Sequence, residues 1–432
     1  MTDRTDGRAA SSVRATPTLS RRRLVSLGLA GAAALGTLAL AGCQSAEDAQ
    51  KAATQASGGA SGGTTPSAAP AASAPASSRA DSASSGVASA EKVPVPDDAP
   101  WKGRGDARES VNLGAATGMT GIANQFALQN GWYDDAGFDV SEQSIDNPVS
   151  AFAAGDVDLA DGDPGTYIPA IVNDVPITIV GNMWRSKGAF WIIGDKSVAT
   201  WDDVKGKKFG TAQAAGGMKM TALATLAANG VDADRDKVDL IANNFRQTAY
   251  ASLQKGDVNA TVIHQPFATI AQRDGNHILG KTWEYMPDYN TGVLVARDEF
   301  IKNKPDVVKR LLEVYYYANE YCRTHFDVFL PWAAGYLNLD LDLAEEVFNS
   351  EIELWENDPV VIPERLQKTE DLLAEYGMQD KSLPVQDVYD NTIADEVASE
   401  LKLGTYRTTP LAGASARTDA GSSRADSARK GA

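Results

Sequence analysis

The chain has 432 residues, 40 Lys and Arg against 57 Asp and Glu, a formal net charge of −17, and two cysteines. That acidic excess argues against nucleic acid or an anionic membrane surface as the main partner, because both need a basic face. Two cysteines cannot build a disulfide framework, so an apolar core has to hold the fold.

The first 42 residues are Arg-dotted, with Arg21, Arg22 and Arg23 ahead of an Ala/Gly/Leu run from Ser26 to Leu40. A cationic stretch before a short apolar run is an export signal. Its dilution by Gly and Ala argues against a membrane-spanning helix. The run ends in Leu40-Ala41-Gly42-Cys43, which resembles a bacterial lipobox and implies lipidation of Cys43. The twin arginines before Leu24-Val25 resemble a Tat signal. Residues 43–107 and 407–432 are rich in Ser, Ala, Gly and Thr, and "SSRADSA" stands in both, at 77–83 and 422–428. Such composition buries too little apolar surface to offset its ordering entropy, so both segments are expected to be disordered. Residues 108–406 remain as the folded domain.

Within that domain the same phrase occurs twice. Val111–Ala115 predicts a strand, 116–121 ("ATGMTG") a glycine turn, Ile122–Trp132 a helix and Phe138–Gln143 a strand. A helix over Pro148–Ala154 then leads into Gly155-Asp156-Val157 and a strand over Val157–Ala160. The second round runs through a strand at Lys208–Ala212, the turn Gln213–Gly217, a helix over Met218–Asn229 and a strand at Val238–Ala242. A helix over Thr248–Lys255 leads into Gly256-Asp257-Val258 and the strand Asn259–Ile263. This alternation predicts two α/β lobes with parallel sheets. In such sheets the ligand crevice lies outside the carboxyl ends of the strands, where both glycine turns stand and lead into helix N-termini.

Asn303–His325 reads as a long amphipathic helix begun by Pro305, and further helices are expected over Leu341–Trp355, Pro363–Tyr376 and Val388–Leu401. Cys322 shares a stripe with Val308, Leu311, Tyr315 and Ala318, which predicts an inert buried thiol. The three histidines (His264, His277, His325) show no zinc spacing, and no nucleophile–base pair is evident. In "DVDLADGDPG" an EF-hand loop counted from Asp156 would need Glu where Tyr167 stands. No metal, cofactor or catalytic residue is therefore expected.

"FAAGDVDLADGDPGTYIPAIVNDVPITIVG" (Phe152–Gly181), "WDDVKGKKFGTAQAAGGMKMTALATLAANGV" (Trp201–Val231) and "LQKGDVNATVIHQPFATIA" (Leu253–Ala271) resemble the solute-binding proteins of ABC importers. The group they resemble is the nitrate/sulfonate/taurine family, with its thiamine-pyrimidine-synthase-like members. The resemblance covers nearly all of 110–406. It implies a two-lobed periplasmic-binding-protein fold (Venus flytrap, type II), with lobe one at about 108–186 and 283–406 and lobe two at about 187–282. It also implies a monomeric lipoprotein on the extracytoplasmic face of a bacterial membrane, delivering a small solute to a permease and its ATPase. A ligand-presenting partner of a membrane sensor and a pyrimidine-synthase-like enzyme are the alternatives.

By matching position, the resemblance places the solute on Thr117, Gly118, Met119, Thr120, Asp161, Gly162 and Asp163 of lobe one. The lobe-two counterparts are Gln213, Ala215, Gly216, Gly217, Met218, Asn243, His264 and Gln265, with Tyr289 and Asn290 on the returning chain. "AAGGMKM" departs from many sulfonate and nitrate binders, which carry a small hydroxylated residue and often His in that turn. Arg185 and Arg246 can each pair with an anionic solute or with one of the many carboxylates. Trp184, Phe245, Phe267 and Tyr289 can stack on a heterocycle or serve the core. A small anion and a small heterocycle both stay open as solutes.

Overall fold

The computed structural model describes residues 92–103, 108–143, 148–184, 187–380 and 382–403. The export signal, Cys43, Arg185 and the C-terminal tail lie outside the described residues.

Ten strands form two five-stranded sheets. The first contains β1 (Glu109–Gly114), β2 (Phe138–Gln143), β3 (Leu159–Gly162), β4 (Ile177–Asn182) and β10 (Val293–Arg297), in the order β2-β1-β3-β10-β4. The second contains β5 (Trp191–Gly194), β6 (Lys208–Gly210), β7 (Asp239–Ile241), β8 (Ala260–Ile263) and β9 (His277–Lys281), in the order β7-β6-β8-β5-β9. The described α-helices of seven residues or more that position these sheets are α1 (Ile122–Asn130), α2 (Pro148–Ala154), α3 (Pro164–Val172), α4 (Gly217–Ala228), α5 (Gln247–Lys255) and α6 (Phe267–Arg273). A C-terminal set follows: α7 (Pro305–Thr324), α8 (Phe326–Leu337), α9 (Leu341–Ser350), α10 (Pro363–Glu375) and α11 (Thr392–Glu400).

The sheets are mixed, which corrects the expectation of parallel ones. β10 runs antiparallel to both β3 and β4, and β5 runs antiparallel to both β8 and β9. Each is the first strand laid down after the chain changes lobes. It arrives without the helical crossover that forces a parallel neighbour. The chain passes from β4 to β5 and back from β9 to β10, and the two passages touch at a bridge between Lys187 and Asn290.

Strand periodicity explains why both faces of each sheet are covered. In β10, Leu294 and Ala296 face a cluster with Phe126 of α1 and Leu311, Tyr315 and Cys322 of α7. Val293 and Val295 face the opposite cluster with Ile168 of α3 and Leu366 and Leu373 of α10. In the second sheet Ile192 and Val262 pack on Met218, Ala222 and Leu226 of α4, while Trp191, Ile193 and Ile263 pack on Ala249 and Leu253 of α5. Each such side chain contributes roughly 1.5–3 kcal/mol when fully buried. One helix serves both lobes: Met220 and Ala224 of α4 lie in lobe one's cluster beside Met286 and Tyr289.

Two local expectations shift. β3 starts at Leu159 and not Val157, because Val157 is core while the Asp158 carboxylate accepts the Asn112 backbone N–H at 2.8 Å and pairs with Arg297. The helix expected over Leu341–Trp355 ends at Ser350, and Ile352–Leu354 forms a 3-10 turn. α8 has no counterpart in the sequence reading, since Pro331 within it masks the helical signal.

Candidate functional site

The carboxyl ends of β1 and β3 face those of β6 and β7, with the turns that follow them in contact. After β1 the chain turns sharply: Gly118 has φ +63°, and a side-chain carbon at Gly121 would land 1.9 Å from the Ala116 carbonyl oxygen. Glycine is therefore required at that turn. Thr117 Oγ1 accepts a 2.8 Å hydrogen bond from Arg246 Nη1, so the second lobe's guanidinium reaches the first lobe's turn. Arg246 itself holds φ +65° at the start of α5, a backbone conformation costly for any residue but glycine, and its guanidinium lies 4.9 Å from the Phe245 ring centroid. The Gly118 N–H donates to Tyr336 Oη at 3.2 Å, which brings α8 to the same turn.

At the end of β3 stand Asp161 and Asp163. Asp161 is 8% exposed; its Oδ1 accepts the Ala116 N–H at 2.7 Å, and its Oδ2 is buried without a hydrogen-bond partner among the described residues. Burial pushes its carboxyl up to about 7, against the opposing pull of the Ala116 amide and of Arg246. Asp163 caps α3, with Oδ1 accepting the Gly165 N–H at 2.8 Å and the Tyr289 hydroxyl at 3.3 Å. The residue as a whole is half-buried, yet its Oδ2 is sealed from solvent and accepts no hydrogen bond. Burial pushes this carboxyl up to about 6.

The lobes come closest where α3 and α4 begin. A side-chain carbon at Gly165 would lie 2.5 Å from Gly217 Cα, and one at Gly217 would lie 2.0 Å from Asp163 Oδ2. Only glycine at both positions permits this approach. Gly216, with φ +85°, sets the turn into α4, and the Gln213 carbonyl accepts the Thr211 hydroxyl at 2.8 Å.

The expected site residues divide by position. Thr117, Gly118, Asp161, Asp163, Gly217, Arg246 and Tyr289 meet across the lobes. Gln213 and Gly216 stand in the turn that leads to this contact, and Ala215 in the same turn is exposed. Gly162 lies against the Tyr167 ring, and the Thr120 carbonyl accepts the Trp184 indole N–H at 3.0 Å. Met119 and Met218 are core residues of lobe one and lobe two. Asn243 fastens the lobe-two turn by accepting the Ala212 N–H and donating to Thr261. His264 is buried against Phe190, ring centroids 4.7 Å apart. Gln265 donates to Thr269 and Ser350, and Asn290 donates to Asn182, so both serve the passages between lobes. Of the four aromatic candidates, Trp184 packs on Trp355 and Phe267 on Tyr250. Gly165 and Tyr336 were missed. The Pro164-Gly165 pair at a helix start offered a signal for the first, whereas Tyr336 lies 218 residues from its partner and offered none.

Comparison with known proteins places this geometry. Residues 121–327 match the family model described as NMT1/THI5 like. A Bacillus subtilis (strain 168) protein named for aliphatic sulfonate binding is 27% identical over 157 residues. That match covers 36% of this chain and 47% of the relative, so the chain spans about half the length of the curated relative it matches. Among solved structures, a Bordetella bronchiseptica RB50 protein aligns with a TM-score of 0.58 at 16% identity, covering 68% of this chain and 98% of the other. The periplasmic nitrate-binding protein of Synechocystis PCC 6803 aligns at 0.56 and 15% identity, covering 68% and 89%. The alkanesulfonate-binding protein of Xanthomonas axonopodis pv. citri bound to MOPS aligns at 0.54 and 16%, covering 66% and 99%. The fold is the two-lobed periplasmic-binding-protein fold of type II.

Proposed function

We propose that this chain, whose residues 121–327 form an NMT1/THI5-like domain, is an extracytoplasmic solute-binding lipoprotein of an ABC importer. It captures a small solute between its lobes and passes it to a permease and ATPase. It binds its solute and does not transform it. Residues 1–42 are its export signal, Cys43 its lipid attachment and 43–107 its tether. Lobe one is taken as 108–186 with 283–406, and lobe two as 187–282.

The observation that carries this reading is the meeting of two strand-end turns from two sheets. Arg246 crosses to Thr117 there, and the starts of α3 and α4 touch at Gly165 and Gly217. A crevice at the carboxyl ends of two α/β sheets suits a solute that enters when the lobes part. Arg185 and Arg246 are assigned to the solute's polar groups, and the glycine turns to its walls.

Arg246→Ala should weaken solute affinity about tenfold or more by removing a charged, bidentate-capable donor. Small-angle scattering of the wild type should show compaction on adding a solute that raises its melting temperature. A scattering curve left unchanged by a tight ligand would sink the two-lobed capture mechanism. Release of Cys43→Ser from the membrane fraction tests the anchor, and its retention there would remove that part of the reading.

A further inference from the structure

Two features of the cleft constrain what the solute can be. The first is Asp161. Its Oδ2 is buried and accepts no hydrogen bond among the described residues, while its Oδ1 is held by the Ala116 amide. Leaving a carboxylate oxygen sealed and unsatisfied is costly unless a donor arrives to meet it. The position lies beneath the turn that carries Thr117, whose hydroxyl already accepts from Arg246.

The second feature is the plug at the start of α4. The free amides at a helix start ordinarily favour an anion. Here Asp163 Oδ2 lies so close to Gly217 that a single added carbon would stand 2.0 Å from it. The place an anionic solute would take at the lobe-two helix is held by a carboxylate of the chain itself. An oxyanion placed in the cleft would join Asp161 and Asp163 opposite Arg246. That negative group would push both buried carboxyls further toward their uncharged form and would bring no N–H donor to Asp161 Oδ2.

We propose, resting on the solute-binding reading above, that the solute carries an N–H-donating nitrogen, as an ammonium, amidine or amino-heterocycle, which docks on Asp161, and that a bare oxyanion is not sufficient. Arg246, bonded to Thr117, stands on the same side of the cleft for an anionic or carbonyl group at the solute's other end. The N–H donor and the buried oxygen satisfy one another, and the carboxyl ionises as the partner arrives.

Matched probe pairs test this. Taurine is compared with propane-1-sulfonate, and 4-aminopyrimidine with 4-methylpyrimidine, each pair exchanging an amino group for a methyl; nitrate is the bare oxyanion. Melting temperature and calorimetric affinity are measured on the wild-type folded domain within the full chain, and on Asp161→Asn and Asp163→Asn. The expected result is that the amino member of one pair binds about tenfold or more tightly than its methyl partner, the usual scale of a hydrogen bond to a charged group. Which pair responds separates the aliphatic ammonium from the heterocycle. Asp161→Asn should bring the two members of that pair to near equality. If that variant fails to fold, the wild-type pair comparison alone decides. Tight binding of propane-1-sulfonate or nitrate would overturn the donor requirement while leaving solute binding intact. An unchanged pair ratio in a well-folded Asp161→Asn would overturn the role of Asp161. Silence from all five probes at millimolar concentration would count against both readings.

Discussion

The Gly-Asp-Val phrase is written into both lobes, and its two copies do the same work in the backbone and different work in the cleft. In lobe one, Asp158 accepts the Asn112 N–H of β1 and pairs with Arg297 of β10. In lobe two, Asn259 accepts the Lys208 N–H of β6 at 3.3 Å and donates to Asp195 beside β5 at 2.9 Å. Each ties its strand to a parallel neighbour on one side and to the antiparallel newcomer on the other. Five residues later in lobe one, and six in lobe two, the copies part company. Asp163 caps α3 and turns its second oxygen onto the start of α4, whereas Gln265, also before a proline, bonds Thr269 of α6 and Ser350 of α9 in lobe one. The duplication preserved the frame and left the chemistry to one wall.

The largest effect that tests this division is expected at the frame. Asp158→Ala strands Arg297 in a mostly buried place and should cost about 3 kcal/mol, the scale of a broken buried pair. Asn259→Ala strands no charge, losing one neutral hydrogen bond and one to the Asp195 carboxylate, and should cost about 1–2 kcal/mol. Denaturant titration compares them directly, and equal losses would show that the Asp158–Arg297 ion pair adds nothing to the shared hydrogen-bonding role.

Next in size is the contact between lobes. Gly165→Ala places a methyl 2.5 Å from Gly217 Cα, where backbone must move, so a loss of about 1–3 kcal/mol is expected together with a larger radius of gyration. Gly256→Ala, at φ +76° with no atom within 4 Å, should cost about 1 kcal/mol of backbone strain and leave the radius unchanged. A radius unmoved by Gly165→Ala would remove that contact from the closing mechanism.

The smallest effect is pH dependence. Asp161 and Asp163 titrate at about 7 and about 6 in the closed protein, raised from 3.8 by burial. A raised carboxyl binds its proton more tightly when folded. Its contribution to stability is therefore complete below the usual carboxylate range and is lost as pH rises through about 6 to 7. Glu142 adds to the rise at Asp161, while Arg246 opposes it. The empty protein should melt a few degrees lower at pH 8 than at pH 5, and Asp161→Asn should flatten that slope. An unchanged slope in the variant would assign the titration elsewhere.

Much of this architecture was legible in the residues. The strand over Phe138–Gln143, the helix over Pro148–Ala154 and the long helix begun by Pro305 follow from periodicity and proline placement. The stripe that buries Cys322 does too. The antiparallel β5 and β10 were not legible, because strand direction after a lobe crossing depends on where the chain lands and not on its composition. Nor could the sequence distinguish Asp163, which meets the start of α4, from Gln265, which bonds Thr269 of α6 and Ser350 of α9. Both are polar residues before a proline at a strand end, and only the packed helix starts separate them. Met119 lies within one glycine turn and Met218 just past the other, yet both go to the core, since a one-residue difference at a tight turn decides which way a side chain points.

Helix α4 begins in the cleft and ends with its flank in the neighbouring lobe's interior, where Met220 is fully buried. This makes the halves unequal as units of inheritance. Lobe two cannot be lifted out as a cassette and exchanged with that of a relative, because the graft would carry an apolar flank shaped for one particular host. Recombination between such proteins is expected to succeed only when α4 travels together with α10 and the segment around Met286 and Tyr289.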